Sequence, residues 1–320
     1  MNILKFEKQN SNEVIMLWNS CFLKQYHIDE FLFNEKLLND PDLFWPSVLV
    51  CKTDSEQIIG FIACKISDGK IEEYKNAAWV SVLFVHPQFR RHGIGSQLYL
   101  NAEKELHLAG VRKIFLGGEI RNFFSGIPEP FEIPKAFFLS KGFDVNNEQH
   151  YDLCADVSKI DFDKLTITYN KSAEYVTRPF NEKDLSALEK FFDSEFPGRW
   201  KFEMTEFIRG GKNLNHLLVF CKEEEIKGFC KINAGGNSNG LGINLGKGWG
   251  ALGPIGISKD LRGKGFGNRL LYDSLKYLKK LGAKNVNIDW TVLKDFYGQF
   301  GFSPWRSYLG AYKILGEQYV

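Results

Sequence analysis

Apolar residues along this chain recur in two different periods. Ile94, Leu98, Ala102 and Leu106 fall every four residues, and Phe266, Leu270, Leu271, Leu275 and Leu278 keep the same helical spacing. Both stretches stop at a glycine, Gly110 and Gly282, the residue that most easily takes the left-handed turn closing a helix. Residues 13–24, 29–38, 182–196 and 202–208 also read as helices. Strand-like runs form two hairpins, 47–52 with 58–65 across Asp54-Ser55-Glu56, and 217–222 with 226–232 across Glu223-Glu224-Glu225. Residues 111–116 and 285–288 add a strand after each long helix. Set in order, the chain reads strand, helices, hairpin, strand, glycine loop, helix, strand, helix, strand, twice over. A polar stretch at 158–169 separates the copies, which predicts domains at 1–160 and 170–320.

The repeat is visible residue by residue. Val82 to Gly95 runs from an apolar strand through Arg90-Arg91-His92-Gly93-Ile94-Gly95. Pro254 to Gly267 does the same through Arg262-Gly263-Lys264-Gly265-Phe266-Gly267, 172 residues later. A second shared block is Ala136 to Phe143 in the first copy and Asp295 to Phe302 in the second, offset by 159. The difference places 13 extra residues in the first copy, at 119–131, a stretch expected to be an added loop beside the binding region. Arg-x-x-Gly-x-Gly between a strand and a helix suits an anion. Glycine permits strained torsions and close approach, and the helix start presents unpaired N–H groups with partial positive charge. Arg90, Arg91, Arg262 and Lys264 are expected to add full charge at the rim. Neither the dinucleotide fingerprint nor the P-loop is met, because the required third glycine and the Gly-Lys-Ser/Thr ending are missing.

Composition narrows the class. The 320 residues suffice for two cored domains, and 44% hydrophobic with 25% charged residues is ordinary for a globular chain. Net charge is only +2, but residues 1–160 carry 17 basic and 21 acidic side chains and the remainder 24 and 18, so the second half better suits an anionic partner. No nucleic-acid partner is expected. The longest mainly apolar run, 77–85, is too short to span a bilayer, and residues 1–10 carry Glu7 without an apolar leader core. Six scattered cysteines with no Cys-x-x-Cys spacing are expected to be buried thiols, in keeping with a cytoplasmic protein and no metal site.

The Arg-x-x-Gly-x-Gly loops, each after an apolar strand, and Phe296-Tyr297-Gly298-Gln299-Phe300-Gly301-Phe302 resemble the GNAT superfamily of acyl-CoA N-acyltransferases. The resemblance covers both halves, in a tandem, mycothiol-synthase-like arrangement. It implies an α/β fold: a mixed, mostly antiparallel sheet with helices on both faces, whose splayed central strands admit the thioester. It implies acetyl-CoA as cosubstrate, with pyrophosphate on the backbone of Arg90, Arg91, His92, Gly93, Ile94, Gly95 and Ser96 in one copy. In the other copy the matching residues are Arg262, Gly263, Lys264, Gly265, Phe266, Gly267 and Asn268. The backbones of Leu83 and Val85, and of Ile255 and Ile257, would line the acyl group. Tyr297 stands where the family places the acid that protonates the departing thiolate, while the first copy has Phe138, which has no proton to give. Chemistry is therefore expected in the second copy, the first binding CoA or supporting the fold. Asp289 is a candidate base or amine anchor, and Glu119 lies near the matching place in the first half. The glycine-rich stretch 233–250 is expected to be a ligand-facing loop without core contacts. A catalytically silent acyl-CoA-binding protein is the alternative. The amine acceptor and the oligomeric state are not legible.

Overall fold

The computed structural model describes all residues except 212, 235–239 and 317–320. The first repeat contains β1 (Asn2–Lys5), α1 (Ser11–Cys21), α2 (Glu30–Phe33), β2 (Leu49–Lys52), β3 (Ile58–Ile66), β4 (Ala77–Val85), α3 (Ile94–Leu108), β5 (Lys113–Leu116), β6 (Ile127–Pro128), α4 (Glu132–Ser140) and β7 (Asp144–Asp156). The second contains β8 (Tyr175–Pro179), α5 (Leu185–Glu195), α6 (Arg199–Arg209), β9 (Leu217–Lys222), β10 (Glu225–Ala234), β11 (Gly250–Ile257), α7 (Phe266–Lys280), β12 (Asn285–Thr291), α8 (Lys294–Gly298) and β13 (Ser303–Ile314). This is a mixed α/β chain, mostly antiparallel, with two copies of one motif.

The compact units interleave the repeats. The first gathers Met1–His150, the short stretch 240–244 and the chain from Arg306 onward, and the second takes the rest of Tyr151–Trp305. In the first unit β1, β2, β3 and β4 pair antiparallel in sequence, and β5 joins β4 in parallel. The outer edge of β5 is paired by β13, from the far end of the chain. In the second unit β8, β9, β10 and β11 pair antiparallel, β12 joins β11 in parallel, and the end of β7 pairs β12. Each unit is thus closed by the other repeat's last strand.

Strand alternation sends side chains to two layers in each unit. In the first, Ile62, Cys64, Ala78 and Val80 pack under Leu98, Ala102 and Leu106 of α3, while Phe61, Ala63, Val82 and Phe84 pack under Trp18 and Leu17 of α1. In the second, Cys230, Leu252, Val286 and Ile288 face α7, while Val219, Cys221 and Phe229 face Phe191 and Phe192 of α5.

Both glycine helices begin as their sequences require, with Gly93 and Gly265 left-handed at the N-cap (φ 80° and 79°). The expected helix at 29–38 forms as α2 followed by a π-turn over Asn34–Leu38. The stretch at 119–131 is the expected added loop, interrupted only by the short strand β6, and it buries Ile120, Phe123, Phe124 and Ile127. One expectation needs correction. Of the stretch 233–250, residues 235–239 lie outside the described residues. Leu241 is buried in the first unit's core and Trp249 is buried too, because their apolar area outweighs the low periodicity around them.

Candidate active site

The two parallel strands of each unit touch only at their beginnings. In the second unit Gly250 pairs Val286 and Ala251 pairs Asn287, after which β11 and β12 part. In the first, β4 and β5 stay paired over Ala77–Trp79 only. The register of the fourth strand shifts at the same place in both, opposite Ala63/Cys64 and opposite Cys230/Ile232. A bulge twists and bends its strand, and here it opens a gap in the sheet. Leu83 and Val85, and Ile255 and Ile257, lie beyond the bulge, half-buried along that gap and packed on the α3 and α7 sides.

The glycine loops stand at the end of these strands. Arg91 and Gly263 are equivalent and both left-handed (φ 68° and 72°), so Arg91 holds a conformation that only glycine adopts cheaply. Neither N-cap glycine provides a side-chain cap, which leaves the first-turn N–H groups of α3 and α7 available for an anion. A Cβ on Gly93 or Gly263 would meet nothing within 4 Å, so backbone approach is open there. His92, Gly93 and Lys264 are exposed, Gly95, Ser96, Gly265, Gly267 and Asn268 half-buried, and Ile94 and Phe266 are buried anchors. Arg90 and Arg262 are exposed at the rim, and each also bonds back to its own strand. The Arg90 Nε donates to the Val85 carbonyl at 3.0 Å, and the Arg262 Nε and Nη2 donate to the Ile257 carbonyl at 3.4 and 3.3 Å. Each arginine ties the loop back to its strand.

The second loop also carries a strap that the sequence did not reveal. The Asn170 N–H donates to the Gly265 carbonyl at 3.2 Å, and the Asn268 amide donates to the Thr168 carbonyl at 2.9 Å. Tyr169 stacks on Tyr272 of α7, centroids 4.8 Å apart.

Tyr297 lies in α8, its ring 5% exposed and packed against Phe296 and Phe302. Burial, then the nearby Cys230 thiol and Asp289 carboxylate, push its phenol well above the ordinary range, so it keeps its proton at neutral pH. Asp289 is exposed at the end of β12. Because Val286 and Ile288 face α7, alternation puts Asn287 and Asp289 on the opposite side. A Cβ built on Gly253 would stand 3.8 Å from the Asp289 Oδ1, so the carboxylate reaches across to the bulge of β11. Tyr297 and Asp289 thus approach the gap from its two faces.

The first unit lacks both features. Phe138 occupies the Tyr297 position, buried against Phe137 and Phe143. On the face opposite α3, Phe84, Phe123 and Phe124 close around Trp18 at 5.5, 5.6 and 5.5 Å, and Phe124 stacks on Tyr26. The second unit has Gly256 where the first has Phe84, and no counterpart of the loop carrying Phe123 and Phe124. Phe196 rests on Gly256 instead, where a Cβ would stand 2.7 Å from its ring.

Glu119 is held in a buried ion-pair cluster in the first unit. It is 1% exposed, and its Oε2 accepts from the Lys65 Nζ at 2.7 Å while Asp40 lies 2.9 Å from the same nitrogen. Burial works against the Lys65 charge, but Glu119 and Asp40 outweigh it and raise the lysine pKa. Its stabilising charge is therefore complete below the unfolded value near 10.4 and is lost only as pH rises through the raised one. Replacing it by Lys65→Met leaves two buried carboxylates unpaired, an expected loss of about 3–5 kcal/mol at pH 7 by urea unfolding.

A model of the acetyltransferase (GNAT) family matches residues 12–125 and again 185–302, so the chain belongs to that family. An acetyltransferase of Photorhabdus laumondii subsp. laumondii is 36% identical over 117 residues, covering 36% of this chain and 73% of the relative. Among solved structures, the GCN5-related glucosamine N-acetyltransferase region of a fungal multi-domain β-N-acetylglucosaminidase superposes with a TM-score of 0.83 at 20% identity. That likeness covers 97% of this chain, which spans 38% of the fungal one. A tandem GNAT protein from the clavulanic acid biosynthesis pathway superposes with a TM-score of 0.64 at 14% identity, covering 99% of both chains. The protein is an N-acetyltransferase of the GNAT type with two tandem repeats. No helix among the described residues is long and apolar enough to cross a membrane.

Proposed function

We propose that this protein transfers the acetyl group of acetyl-CoA to a primary amine of a small molecule or peptide, and that the second repeat performs the chemistry. One contrast carries this reading. The second unit combines Tyr297, Asp289 and Gly256 around its gap, where the first has Phe138 and a wall of Phe84, Phe123 and Phe124.

The backbone of Gly263 to Asn268 holds the cosubstrate's pyrophosphate, and uncapped N–H groups with open space at Gly263 fit that role. The backbone of β11 beyond its bulge, at Ile255 and Ile257, stabilises charge developing on the carbonyl oxygen. Asp289 anchors the substrate ammonium and takes its proton, freeing the lone pair that forms the new C–N bond. Tyr297 gives its proton to the sulfur as the C–S bond breaks. The first unit keeps an open anion loop at Arg91 to Ser96 and serves as a CoA-binding or supporting domain.

The direct test is thiol release from acetyl-CoA, with and without a panel of amines. Amine-dependent release is expected, and release that no amine stimulates contradicts the reading. Asp289→Asn should lower kcat/KM at pH 7 by about 10²-fold. A kcat/KM within twofold of wild type removes Asp289 from the base role.

A further inference from the structure

Residues 160–171, which lead into the second repeat, lie along α7 from its end to its start. The Lys279 Nζ donates to the Ile160 carbonyl at 2.8 Å, the Tyr272 Oη to the Phe162 carbonyl at 3.4 Å, and the Asn268 amide to the Thr168 carbonyl at 2.9 Å. Tyr169 anchors the end of this run on Tyr272, with the Lys171 and Arg269 cations 5.5 and 5.8 Å from its ring centroid. The anchor sets Asn170 against the glycine loop. Its N–H donates to the Gly265 carbonyl at 3.2 Å and its side-chain amide to the Lys264 carbonyl at 3.4 Å. A Cβ on Gly265 would stand 3.0 Å from the Asn170 nitrogen. The matching place in the first unit is open. A Cβ on Gly93 meets nothing within 4 Å, and Leu100, which stands where the second copy has Tyr272, is 49% exposed.

The C=O and N–H of a planar trans peptide point in opposite directions. Holding the Lys264 and Gly265 carbonyls toward Asn170 therefore turns the Gly265 and Phe266 N–H groups away from it, toward an incoming anion. Glycine has the most conformational freedom to lose, so fixing Gly265 before the ligand arrives lowers the ordering cost of binding. We infer that Tyr169 and Asn170 are positioning residues for the cosubstrate, giving the second repeat a pre-formed pyrophosphate cradle that the first repeat lacks. This rests on the reading of Gly263 to Asn268 as that cradle.

The test titrates the full chain calorimetrically with CoA and with pantetheine, which lacks the pyrophosphate, and measures kcat and KM for acetyl-CoA by amine-dependent thiol release. Tyr169→Ala removes the anchor, Asn170→Pro removes the N–H donor, and Tyr169→Phe keeps the stacked ring. The first two should each raise the Kd for CoA and the KM roughly tenfold, the size of one or two lost hydrogen bonds. Their kcat and their affinity for pantetheine should stay within twofold of wild type, and Tyr169→Phe should match wild type throughout. A CoA affinity unchanged in both Tyr169→Ala and Asn170→Pro overturns the proposal. So does an equal weakening of CoA and pantetheine, which marks general disruption. A wild type that binds pantetheine as tightly as CoA removes the cradle reading itself, and the proposal with it.

Discussion

Removing residues 306–320 should unfold the N-terminal unit, although every deleted residue belongs to the second repeat. Tyr308, Leu309, Ala311 and Leu315 are buried in the first unit's two cores, and β13 provides the outer partner of the four-residue strand β5. The Ser307 hydroxyl donates to Glu129, and Lys313 pairs the buried Glu103. At about 1.5–3 kcal/mol per large buried apolar side chain, losing these contacts removes of order 6–10 kcal/mol. That is comparable to the whole stability of a domain of this size. Trp18 and Trp79, both 1% exposed or less, report the loss directly. The truncated chain should show red-shifted, solvent-exposed tryptophan emission and rapid proteolysis within residues 1–150. A truncated chain whose first unit still unfolds cooperatively at the wild-type urea concentration contradicts this view of the fold.

The elements themselves were legible because helix and strand periods differ. Leu98, Ala102 and Leu106 announce α3, and all three face one core. The hairpin β9–β10 forms where the three glutamates mark a turn, with Glu223 and Glu224 making it and Glu225 opening β10 opposite Lys222. Strand exchange was not legible, because the alternation in β13 says which face is buried but nothing about which sheet receives it. The buried role of Phe123 and Phe124 was hidden for a related reason. Glycine and proline around them signal turns, and a turn-rich segment is recognised as core only by the partners it meets, here Trp18, Phe84 and Tyr26.

Within the site, the glycine loops and the Phe138/Tyr297 difference could be read because they rest on residue type at fixed spacing. The hydrogen bonds of Arg90 and Arg262 could not, since residue type alone does not show that both also donate to the carbonyl that ends the preceding strand. The Thr168–Asn170 strap was also invisible, since it joins segments almost 100 residues apart, through one backbone pair and the Asn268 side-chain amide, and no periodicity marks such a contact.

The account depends on proton transfer in the second unit, and Tyr297→Phe isolates it by removing one oxygen from a ring whose packing survives. Loss of a positioned general acid lowers turnover by about 10²–10⁴-fold. The raised phenol pKa adds a sign. The acid form is the active one, and a folded value above the ordinary 10 keeps it populated, so Tyr297 should impose no alkaline loss below about pH 10. The decisive measurement is kcat for amine-dependent thiol release from acetyl-CoA in Tyr297→Phe, with KM for acetyl-CoA and Tm recorded on the same sample. A fall of at least 10²-fold, with KM and Tm near wild type, is the predicted result. A kcat within twofold of wild type would place the chemistry elsewhere and contradict the account.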